Sequence, residues 1–472
     1  MPHGDAELGV FTPRSTFFDR GRFGRLFPTL PPFASDTPLV RDALTELGRP
    51  GGPMDAGDDL GDPIALITNQ ALSADNPDNP RLSAGMTFLG QFLDHDMTFD
   101  PTSSLARAQD PEAIRNFRIP ALDLDSLYGG GPGVSPHLYD KSVDEGRTNL
   151  LVEVNPGSEA VALDGRPRFD VPRNSQSTAL IGDPRNDENL IVSQLHLAFL
   201  RFHNRVVDDI RGELGPLATT ADIFAEAQRI VRWHYQWLIL HEFLPLTCGE
   251  DVVWSILTDG RRFYDWRHDP YVPVEFSVAA YRFGHSQVRP SYRANFGTSA
   301  TDPGQQFFGL IFNSALSGGD PDDLRGGSRA PRRFVDWQTF FDFEDGRVRR
   351  NKRIDTRLSS VLFHLPGQPA TQPDSLATRN LVRNLTMKVP SGQRVAAAMY
   401  EAPLSRADLA DLADLGLDRQ TPLWFYILRE ADVHTAGEHL GPIGGRIVAE
   451  VIIGLIEGDP SSYLSLEPDW MP

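Results

Sequence analysis

Residues 82–96 read LSAGMTFLGQFLDHD, and this stretch decides the fold. Its apolar side chains recur at the spacing of one helix face. The sequence therefore predicts a helix that buries one side and carries an Asp-His-Asp tripeptide at its end. The residues of the apolar stripe are Leu82, Met86, Leu89, Phe92 and Leu93.

Helical patterns also dominate the rest of the chain. The longest runs to about residue 210, with Asp187 as its expected N-cap, and the next covers residues 220–244. A stretch dense in Gly and Pro up to about residue 180 indicates a hairpin. The 38 Pro and 41 Gly break the pattern into many pieces, so we predict a mainly α-helical fold with few short strands and long loops. Shorter helical patterns lie at residues 274–287, 375–385, 421–430 and 444–457.

The first 80 residues differ in composition from the rest. They are rich in Pro, Gly, Asp and Asn and contain the turn signals LPPF and NPDNP. We therefore expect residues 1–80 to form an extended arm packed on the body, and residues 81–472 to form one large domain. Hydrophobic residues make up 40% of the chain, which is enough for a large core.

The formal net charge of −19 argues against nucleic acids and anionic membranes as partners, because both select basic faces. The single cysteine, Cys248, has no thiol partner in the chain, so we expect a buried structural thiol. The N-terminus lacks a secretory signal pattern, and no apolar window is long enough to span a bilayer. We therefore expect a soluble protein, cytoplasmic by default or exported by a non-classical route.

The tripeptide Asp94-His95-Asp96 has a geometric constraint. Successive helical side chains point about 100° apart, so the two carboxylates lie on roughly opposite sides of the histidine. They cannot chelate one ion together with His95. Taken alone, the tripeptide is more typical of a solvated helix end.

Two further clusters carry candidate chemistry. Asp123 and Asp125 lie on the same face of an extended segment beside a Gly-rich turn, and such carboxylates suit Ca²⁺, although an Asx-rich turn is an equal alternative. Arg185 and Glu188 are three residues apart and could share a helix face. His285 lies in a helical pattern that stops at Pro290, where a histidine taken alone is more often a core residue than a ligand.

These segments together resemble the animal haem peroxidases, the family of myeloperoxidase, lactoperoxidase, peroxidasin and peroxinectin. GQFLDHD at 90–96 resembles the distal haem segment, and LDLDSLYG at 122–129 resembles the calcium loop. GDPRNDE at 182–188, followed by HNR at 203–205, resembles the distal-arginine helix. YRFGH at 281–285 resembles the proximal segment, and RNLVR at 379–383 with Pro390 resembles the stretch that supports it. The five motifs occur in family order over residues 80–460, and the short chain without disulfides is closest to bacterial members.

The resemblance implies a haem b site with a role for each matching residue. His285 would ligate the iron, and Asn380 would accept the other ring N–H of His285. His95 would be the distal acid–base group, and Arg185 would stabilise the charge that develops as the O–O bond breaks. Gln91, one turn before His95, would orient water or a halide.

Further positions follow from the same resemblance. Asp94 and Glu188 match the carboxylates that form ester bonds to haem methyl groups, and Arg282 matches a residue at the haem. The methionine of a third haem link is replaced by Asn189, so no sulfonium bond is expected. The predicted Ca²⁺ ligands are the carboxylates of Asp96, Asp123 and Asp125 and the carbonyl oxygens of Ile119 and Ala121, with Ile119 replacing the usual threonine.

The implied reaction is the two-electron reduction of H₂O₂, with oxidation of a halide, thiocyanate or small organic donor. A haem-dependent fatty-acid dioxygenase is the nearest alternative, but such enzymes carry a tyrosine where this chain has Arg282. A non-catalytic haem-bearing adhesive protein should have lost His95 or Arg185, and both are present. A non-haem metalloenzyme would leave the two histidines, in separate helical segments, without a third ligand nearby in sequence.

Overall fold

The structure is a computed structural model of the 472-residue chain. It describes residues 23–69, 72, 76–100, 105, 114, 116–266, 270–316, 318–368 and 372–472. Residues 1–22 of the predicted arm therefore lie outside the described residues.

Helices joined by loops and short 3-10 turns form most of the described regular structure, which confirms the predicted mainly α-helical class. In chain order the α-helices are α1 (Pro38–Gly48), α2 (Ala65–Thr68), α3 (Ala84–Met97), α4 (Asp125–Tyr128), α5 (Leu190–Leu214), α6 (Thr220–Leu238), α7 (Leu244–Cys248), α8 (Glu250–Asp259), α9 (Val274–Ser277), α10 (Gly284–Gln287), α11 (Leu376–Thr386), α12 (Gly392–Ala398), α13 (Leu423–Thr435), α14 (Pro442–Glu457) and α15 (Tyr463–Leu466).

The strands are short, and within the described ranges they associate only in pairs. The antiparallel pair of β3 (Glu153–Asn155) with β4 (Arg168–Asp170) lies in the stretch where the sequence indicates a hairpin. The parallel pair is β1 (Phe23–Gly24) with β5 (Val272–Pro273), and the antiparallel pairs are β2 (Asp78–Ser83) with β8 (Arg350–Lys352), β3 (Glu153–Asn155) with β4 (Arg168–Asp170), and β6 (Ser291–Asn295) with β7 (Phe307–Leu310).

Helix α3, which carries the tripeptide, is fixed by packing on several sides. It contacts α5 and α10, and the side chains of Phe92 and Leu93 are buried in the main core, as their spacing predicts. Gly85 permits close approach on another side, because a Cβ there would lie 2.8 Å from the carbonyl oxygen of Phe340. The last turn of α3 is therefore held firmly inside the protein.

The predicted N-cap of helix α5 is wrong. The helix begins at Leu190, and the side chain of Asn189 caps it by accepting a hydrogen bond from the N–H of Val192 at 2.9 Å. Asp187 instead pairs with Arg173, with 2.7 Å between Oδ2 and Nη1. This partner is distant in sequence, so the local pattern of cap residues does not reveal it.

Two of the predicted helices are interrupted. The pattern over 220–244 contains a π-helical turn at Ile239–Phe243, because Pro245 has no N–H with which to continue the regular hydrogen-bond ladder. The pattern over 274–287 divides into α9, a 3-10 turn at Ala280–Phe283, and α10. The break occurs at Ala279, whose φ of −131° and ψ of −80° are not helical.

Residues 23–69 pack on the rest of the chain. The guanidinium of Arg25 donates to the carbonyl oxygen of Met387, and the carboxylate of Glu275 accepts the N–H of Leu26. Helix α1 contacts α11. Strand β2 crosses residue 80 without a break, and the division of the chain at that position stays a prediction.

Two smaller findings concern the remaining sequence expectations. Cys248 is a buried free thiol, as expected. Among the described helices, none combines the length and the apolar character that crossing a bilayer requires.

Candidate active site

A cavity of about 610 Å³ lies against helices α3 and α10. This volume falls in the range of roughly 300–1,000 Å³ that is common for cofactor and small-molecule sites. His95 from α3 and His285 from α10 both line the cavity, with Arg185 and Glu188 from the turn before α5 and Arg379 from α11. The structure thus brings together side chains from four of the five sequence motifs.

His95 is buried in the last turn of α3, and one ring nitrogen is engaged. Its Nδ1 lies 2.7 Å from Oδ1 of Asn186, an atom that can only accept. The proton of a neutral ring therefore lies on Nδ1, and Nε2 has no partner among the described residues. Burial, helped by Arg185, lowers the pKa of His95 to about 4, so the ring is neutral at pH 7.

The orientation of the Asn186 amide is set by a second histidine. Nδ2 of Asn186 donates to Nδ1 of His196 at 3.1 Å, and burial lowers the pKa of His196 to about 3. A neutral His196 ring can accept this bond, which leaves the amide oxygen for His95. Sequence reasoning missed both residues, although Asn186 lies inside the GDPRNDE motif.

Arg185 lies in the 3-10 turn Pro184–Asp187 and is held from three directions. Its Nη2 donates to the carbonyl oxygen of His95 at 2.9 Å and to Oδ2 of Asp183 at 2.7 Å. Its guanidinium also lies over the ring of Phe99, 4.6 Å from the centroid. The position of this cation is therefore tied to the histidine that it faces.

Asp183 joins Arg185 to a second, buried arginine. Arg118 donates from Nη2 to Oδ2 of Asp183 at 2.6 Å and from Nη1 to Oδ1 of Asp125 at 2.8 Å. Burial alone would raise the pKa of Asp183, but Arg185 and Arg118 outweigh it and hold the pKa well below its usual range. A charged chain of four residues thus connects the cavity to Asp125. Sequence reasoning missed Asp183 and Arg118, and no sequence signal marks Arg118.

His285 pairs with Asn380, but in the sense opposite to the sequence expectation. Nδ2 of Asn380 lies 2.8 Å from Nδ1 of His285, so the amide donates rather than accepts. Its Oδ1 is occupied by Nη1 of Arg282 at 3.0 Å. Burial and then Arg282 lower the pKa of His285 to about 3, so this ring is also neutral.

The remaining predicted cavity residues, Gln91, Asp94 and Glu188, all line the cavity. Nε2 of Gln91 donates to Glu188, and Oε1 of Gln91 accepts from Asn189 at 3.1 Å. Oδ1 of Asp94 accepts from the hydroxyl of Thr98 at 3.0 Å. Burial raises the pKa of Glu188 to about 7.

Three guanidinium groups also converge on the cavity. Arg282, Arg379 and Arg383 line it together, and burial followed by the charge of Arg282 lowers the pKa of Arg383 to about 10. Cations that crowd one another in this way are stabilised by an anion placed between them. The cavity can therefore hold a molecule that carries carboxylate groups.

The acidic cluster of Asp96, Asp123 and Asp125 forms as predicted, with carboxylate oxygens all within 4.8 Å of one another. Burial raises the pKa of each of the three carboxyls, that of Asp123 to about 7. Oδ1 of Asp96 is buried without a hydrogen-bond partner. An orphaned oxygen beside two other carboxylates fits a hard cation such as Ca²⁺.

The loop that builds this cluster is not extended, which corrects the sequence argument. Leu124 has a left-handed φ of 61°, and Asp125 begins helix α4. The N–H of Leu124 donates to Oδ2 of Asp96 at 3.1 Å, so the tight bend folds the loop around that carboxylate. Among the predicted carbonyl ligands, that of Ile119 accepts the N–H of Ala121 at 2.7 Å.

Three histidines outside the cavity make hydrogen-bond contacts within the protein. His203 contacts the hydroxyl of Tyr128 at 3.1 Å and the carbonyl oxygen of Thr148 at 2.9 Å. His234 bonds to the carbonyl oxygen of Ile230 on its own helix, and His241 contacts the hydroxyl of Tyr463. His234 on α6 and His241 on the following π turn therefore each have a separate partner.

Comparison with known proteins gives the same picture. The family profile described as animal haem peroxidase matches residues 116–319. A peroxidase-like protein of Margaritifera margaritifera is 39% identical over 331 residues, which is 60% of this chain and 39% of that protein. Peroxidase A from Dictyostelium discoideum superposes with a TM-score of 0.57 at 17% identity, covering 90% of this chain and 92% of that one.

Residues 116–319 thus match the animal haem peroxidase family, and the chain is similar to peroxidases in sequence and in fold. A match to this family implies a haem. An Arabidopsis thaliana fatty acid alpha-dioxygenase also superposes, with a TM-score of 0.57 at 14% identity over 93% of this chain and 73% of that one, which shows a shared fold. The chain spans about half or less of the length of the curated relatives it matches.

Proposed function

We propose that this chain is a haem peroxidase that binds haem b between His95 and His285, reduces H₂O₂, and oxidises a halide, thiocyanate or small organic donor. One observation carries the proposal. Both imidazoles line one cavity, each with Nδ1 against an asparagine and with Nε2 left without a partner among the described residues. An axial ligand and an acid–base group both need a nitrogen that is free in this way.

The lining of the cavity fits haem. Haem is flat and apolar with two carboxylates at one edge, and the arginine group of Arg282, Arg379 and Arg383 provides cations for such an edge. Apolar side chains, among them Phe243 and Leu362, supply the rest of the wall.

Coordination through Nε2 of His285 requires the ring proton on Nδ1, and hence an acceptor at Asn380. The amide must then turn so that its oxygen faces the ring, which removes the present acceptor of Arg282. A haem carboxylate would replace that acceptor. With haem bound, Arg282 would therefore hold a haem carboxylate in place of Oδ1 of Asn380.

When bound, the haem iron supplies the redox chemistry of the reaction. His95 accepts a proton at Nε2 from one oxygen of H₂O₂ and returns it to the other, which leaves as water. Arg185, fixed by Asp183, stabilises the negative charge that develops on the departing oxygen. Gln91, held by Glu188, orients water or a halide in the cavity.

Two finer features belong to the proposal. Asp94 and Glu188 line the cavity and are the candidates for ester bonds to haem methyl groups. Extraction of the denatured protein with acidic organic solvent tests this, because complete release of haem would mean that neither ester is present. The second feature is a Ca²⁺ held by Asp96, Asp123 and Asp125, with the carbonyl oxygens of Ile119 and Ala121, directly behind His95.

The test of the main proposal is haem reconstitution followed by activity. A Soret band should appear on addition of haem, and its absence would end the proposal. His95→Ala should slow peroxide-dependent oxidation by roughly 10²-fold or more. His234→Ala is the control, since His234 bonds only within its own helix and should leave turnover unchanged.

The dioxygenase alternative makes a different prediction. It requires oxygen uptake with a fatty acid and a radical-forming tyrosine, and Arg282 stands at that position. The neighbouring Tyr281 donates its hydroxyl to the carbonyl oxygen of Gly90 at 3.0 Å. We expect no oxygen uptake with palmitate, and rapid uptake would favour the dioxygenase.

A further inference from the structure

We propose that a surface groove beside Trp337 is a second donor site, where small anionic aromatic compounds are oxidised by electron transfer to the cavity. The groove has a volume of about 780 Å³ and lies between β4, helix α5 and the segment that carries Trp337. The inference rests on the proposed peroxidase function, and it adds a site that donors too large for the cavity can use.

Aromatic rings form a continuous series of contacts from the groove to the cavity. Trp337 lines the groove and contacts Phe340, with 6.2 Å between ring centroids. Phe340 contacts Phe88 at 5.9 Å, and Phe88 lines the cavity. Tyr292 lies beside both phenylalanines, at 5.8 and 5.2 Å. Electron tunnelling weakens steeply with distance. Only two ring contacts separate Trp337 from Phe88 at the cavity wall, which is short enough for electron transfer during turnover.

The indole of Trp337 is placed to exchange protons with water. It is half-buried, and its Nε1–H has no hydrogen-bond partner among the described residues. By contrast, the indoles of Trp233 and Trp424 donate to the carbonyl oxygens of Ser461 and Arg282. On oxidation, the Trp337 indole can release its Nε1 proton to solvent, and on reduction it can take a proton back.

Charge at the groove selects the donor. Arg166 and Arg201 line it and have no ion-pair partner among the described residues, whereas Arg168 is paired with Asp164 at 2.8 Å. Phe343, which is 60% exposed, adds an aromatic surface. The groove lining carries three arginines against two aspartates, Asp164 and Asp336. On a chain with a net charge of −19, this locally positive surface beside exposed rings favours an aromatic carboxylate or sulfonate.

The electrons and protons balance as follows. Reduction of one H₂O₂ to two waters consumes two electrons and two protons. The indole passes one electron along the rings to the cavity, and a donor in the groove returns one electron to the indole. Two donor molecules, each losing one electron and leaving as a radical, complete one turnover, and the two protons come from solvent or from a donor that carries an ionisable proton.

The experiment compares a large and a small donor in the haem-loaded protein. The aromatic disulfonate ABTS reports on the groove, and iodide reports on the cavity. Trp337→Phe keeps a ring but loses the oxidisable indole, so kcat/KM for ABTS should fall by about tenfold or more while iodide oxidation stays unchanged. Trp337→Tyr retains an oxidisable ring and should restore part of the ABTS activity.

The control variant is Trp254→Phe. Trp254 is 68% exposed and contacts no aromatic ring among the described residues, so ABTS oxidation should be unaffected. A readout independent of turnover is the electron paramagnetic resonance spectrum after addition of H₂O₂ without donor. A tryptophanyl radical should appear in the native protein and in Trp254→Phe, and it should be absent from Trp337→Phe.

Substitution of the two groove arginines tests donor binding. The double variant R166Q/R201Q should raise KM for ABTS several-fold at low salt and leave kcat unchanged, since only the electrostatic attraction is lost. Unchanged ABTS kinetics in Trp337→Phe, or a radical that survives it, would overturn the groove proposal and leave the peroxidase function intact. If the native protein oxidises neither iodide nor ABTS, the peroxidase function fails and the groove proposal fails with it.

Discussion

On each side of the cavity a histidine pairs with an asparagine, but the hydrogen bond runs in opposite directions on the two sides. On the His95 side, Asn186 accepts from Nδ1, and on the His285 side, Asn380 donates to Nδ1. The difference comes from the third partner of each amide. His196 accepts from Asn186, whereas Arg282 donates to Asn380. The direction of a histidine–asparagine hydrogen bond therefore cannot be assigned until the third partner of the amide is known.

The two sides also differ in how they are supported. The His95 side rests on the buried charged chain from Arg185 through Asp183 and Arg118 to Asp125. The His285 side rests on the neutral Asn380 amide and on packing of short helical pieces. Charge should therefore affect catalysis at His95 more strongly, and cofactor binding should depend on the His285 side.

The largest expected effect separates binding from catalysis. His285→Ala removes the proposed axial ligand, so the loss of haem affinity should exceed the ~10–100-fold cost of losing only the hydrogen-bond partner of a metal-bound histidine. His95→Ala should bind haem normally. Haem titration followed at the Soret band measures both, and added imidazole should restore binding to the His285 variant. Equal loss of affinity in the two variants would contradict the division of roles.

The next effect concerns the charged chain. Arg118→Met leaves the carboxylates of Asp183 and Asp125 buried without their shared cation, which should lower the free energy of unfolding by about 3–5 kcal/mol. Arg205→Met is the control, since its pair with Asp209 is exposed and contributes about 0–0.5 kcal/mol. Urea unfolding monitored by circular dichroism measures both. Similar losses of unfolding free energy in the two variants would mean that the buried chain of charges stabilises the protein no more than an exposed ion pair does.

Removal of Ca²⁺ should have a smaller effect, again on the His95 side. Binding of an ion at about 100 times its Kd stabilises the folded state by about 2.7 kcal/mol, and chelation should remove this. Asp96→Asn should abolish the sensitivity to chelator, whereas Asp208→Asn, at an exposed position on α5, should retain it. Melting temperatures with and without chelator test the prediction, and an identical shift in both variants would contradict it.

Much of the fold could be predicted because its signals are local. The apolar stripe defined helix α3, and the 3.6-residue patterns located α5, α6, α11 and α14. The errors have non-local or backbone causes. Asp187 is taken from its capping position by Arg173, and Pro245 forces the π turn.

The candidate site likewise contains residues that the sequence predicts and residues that it does not. Its cavity residues lie in motifs whose order resembles that of the animal haem peroxidases, so the sequence located most of them, and the structure brings them together. Asp183, Arg118 and His196 were missed because their importance arises only from contacts between distant segments. The acidic cluster was placed correctly for the wrong reason, since it depends on the left-handed backbone of Leu124. The direction of the hydrogen bond between Asn380 and His285 depends on Arg282, and no spacing in the sequence reveals this contact.

The smallest expected effect tests whether the third partner of the asparagine amide sets the direction of its hydrogen bond to histidine. His196→Phe removes the acceptor of the Asn186 amide, while the new ring should still pack against Phe92, whose ring centroid lies 6.1 Å from that of His196. The amide is then free to turn and donate to His95, which would place the proton on Nε2 and block proton uptake. We expect kcat/KM for H₂O₂ to fall by about tenfold, or ~1.4 kcal/mol, with haem affinity unchanged. His196→Gln keeps an acceptor and should stay close to the native value. If His196→Phe retains the native kcat/KM, the Asn186 amide keeps its orientation without a hydrogen bond to residue 196. The direction of each histidine–asparagine hydrogen bond must then be set by the histidine itself.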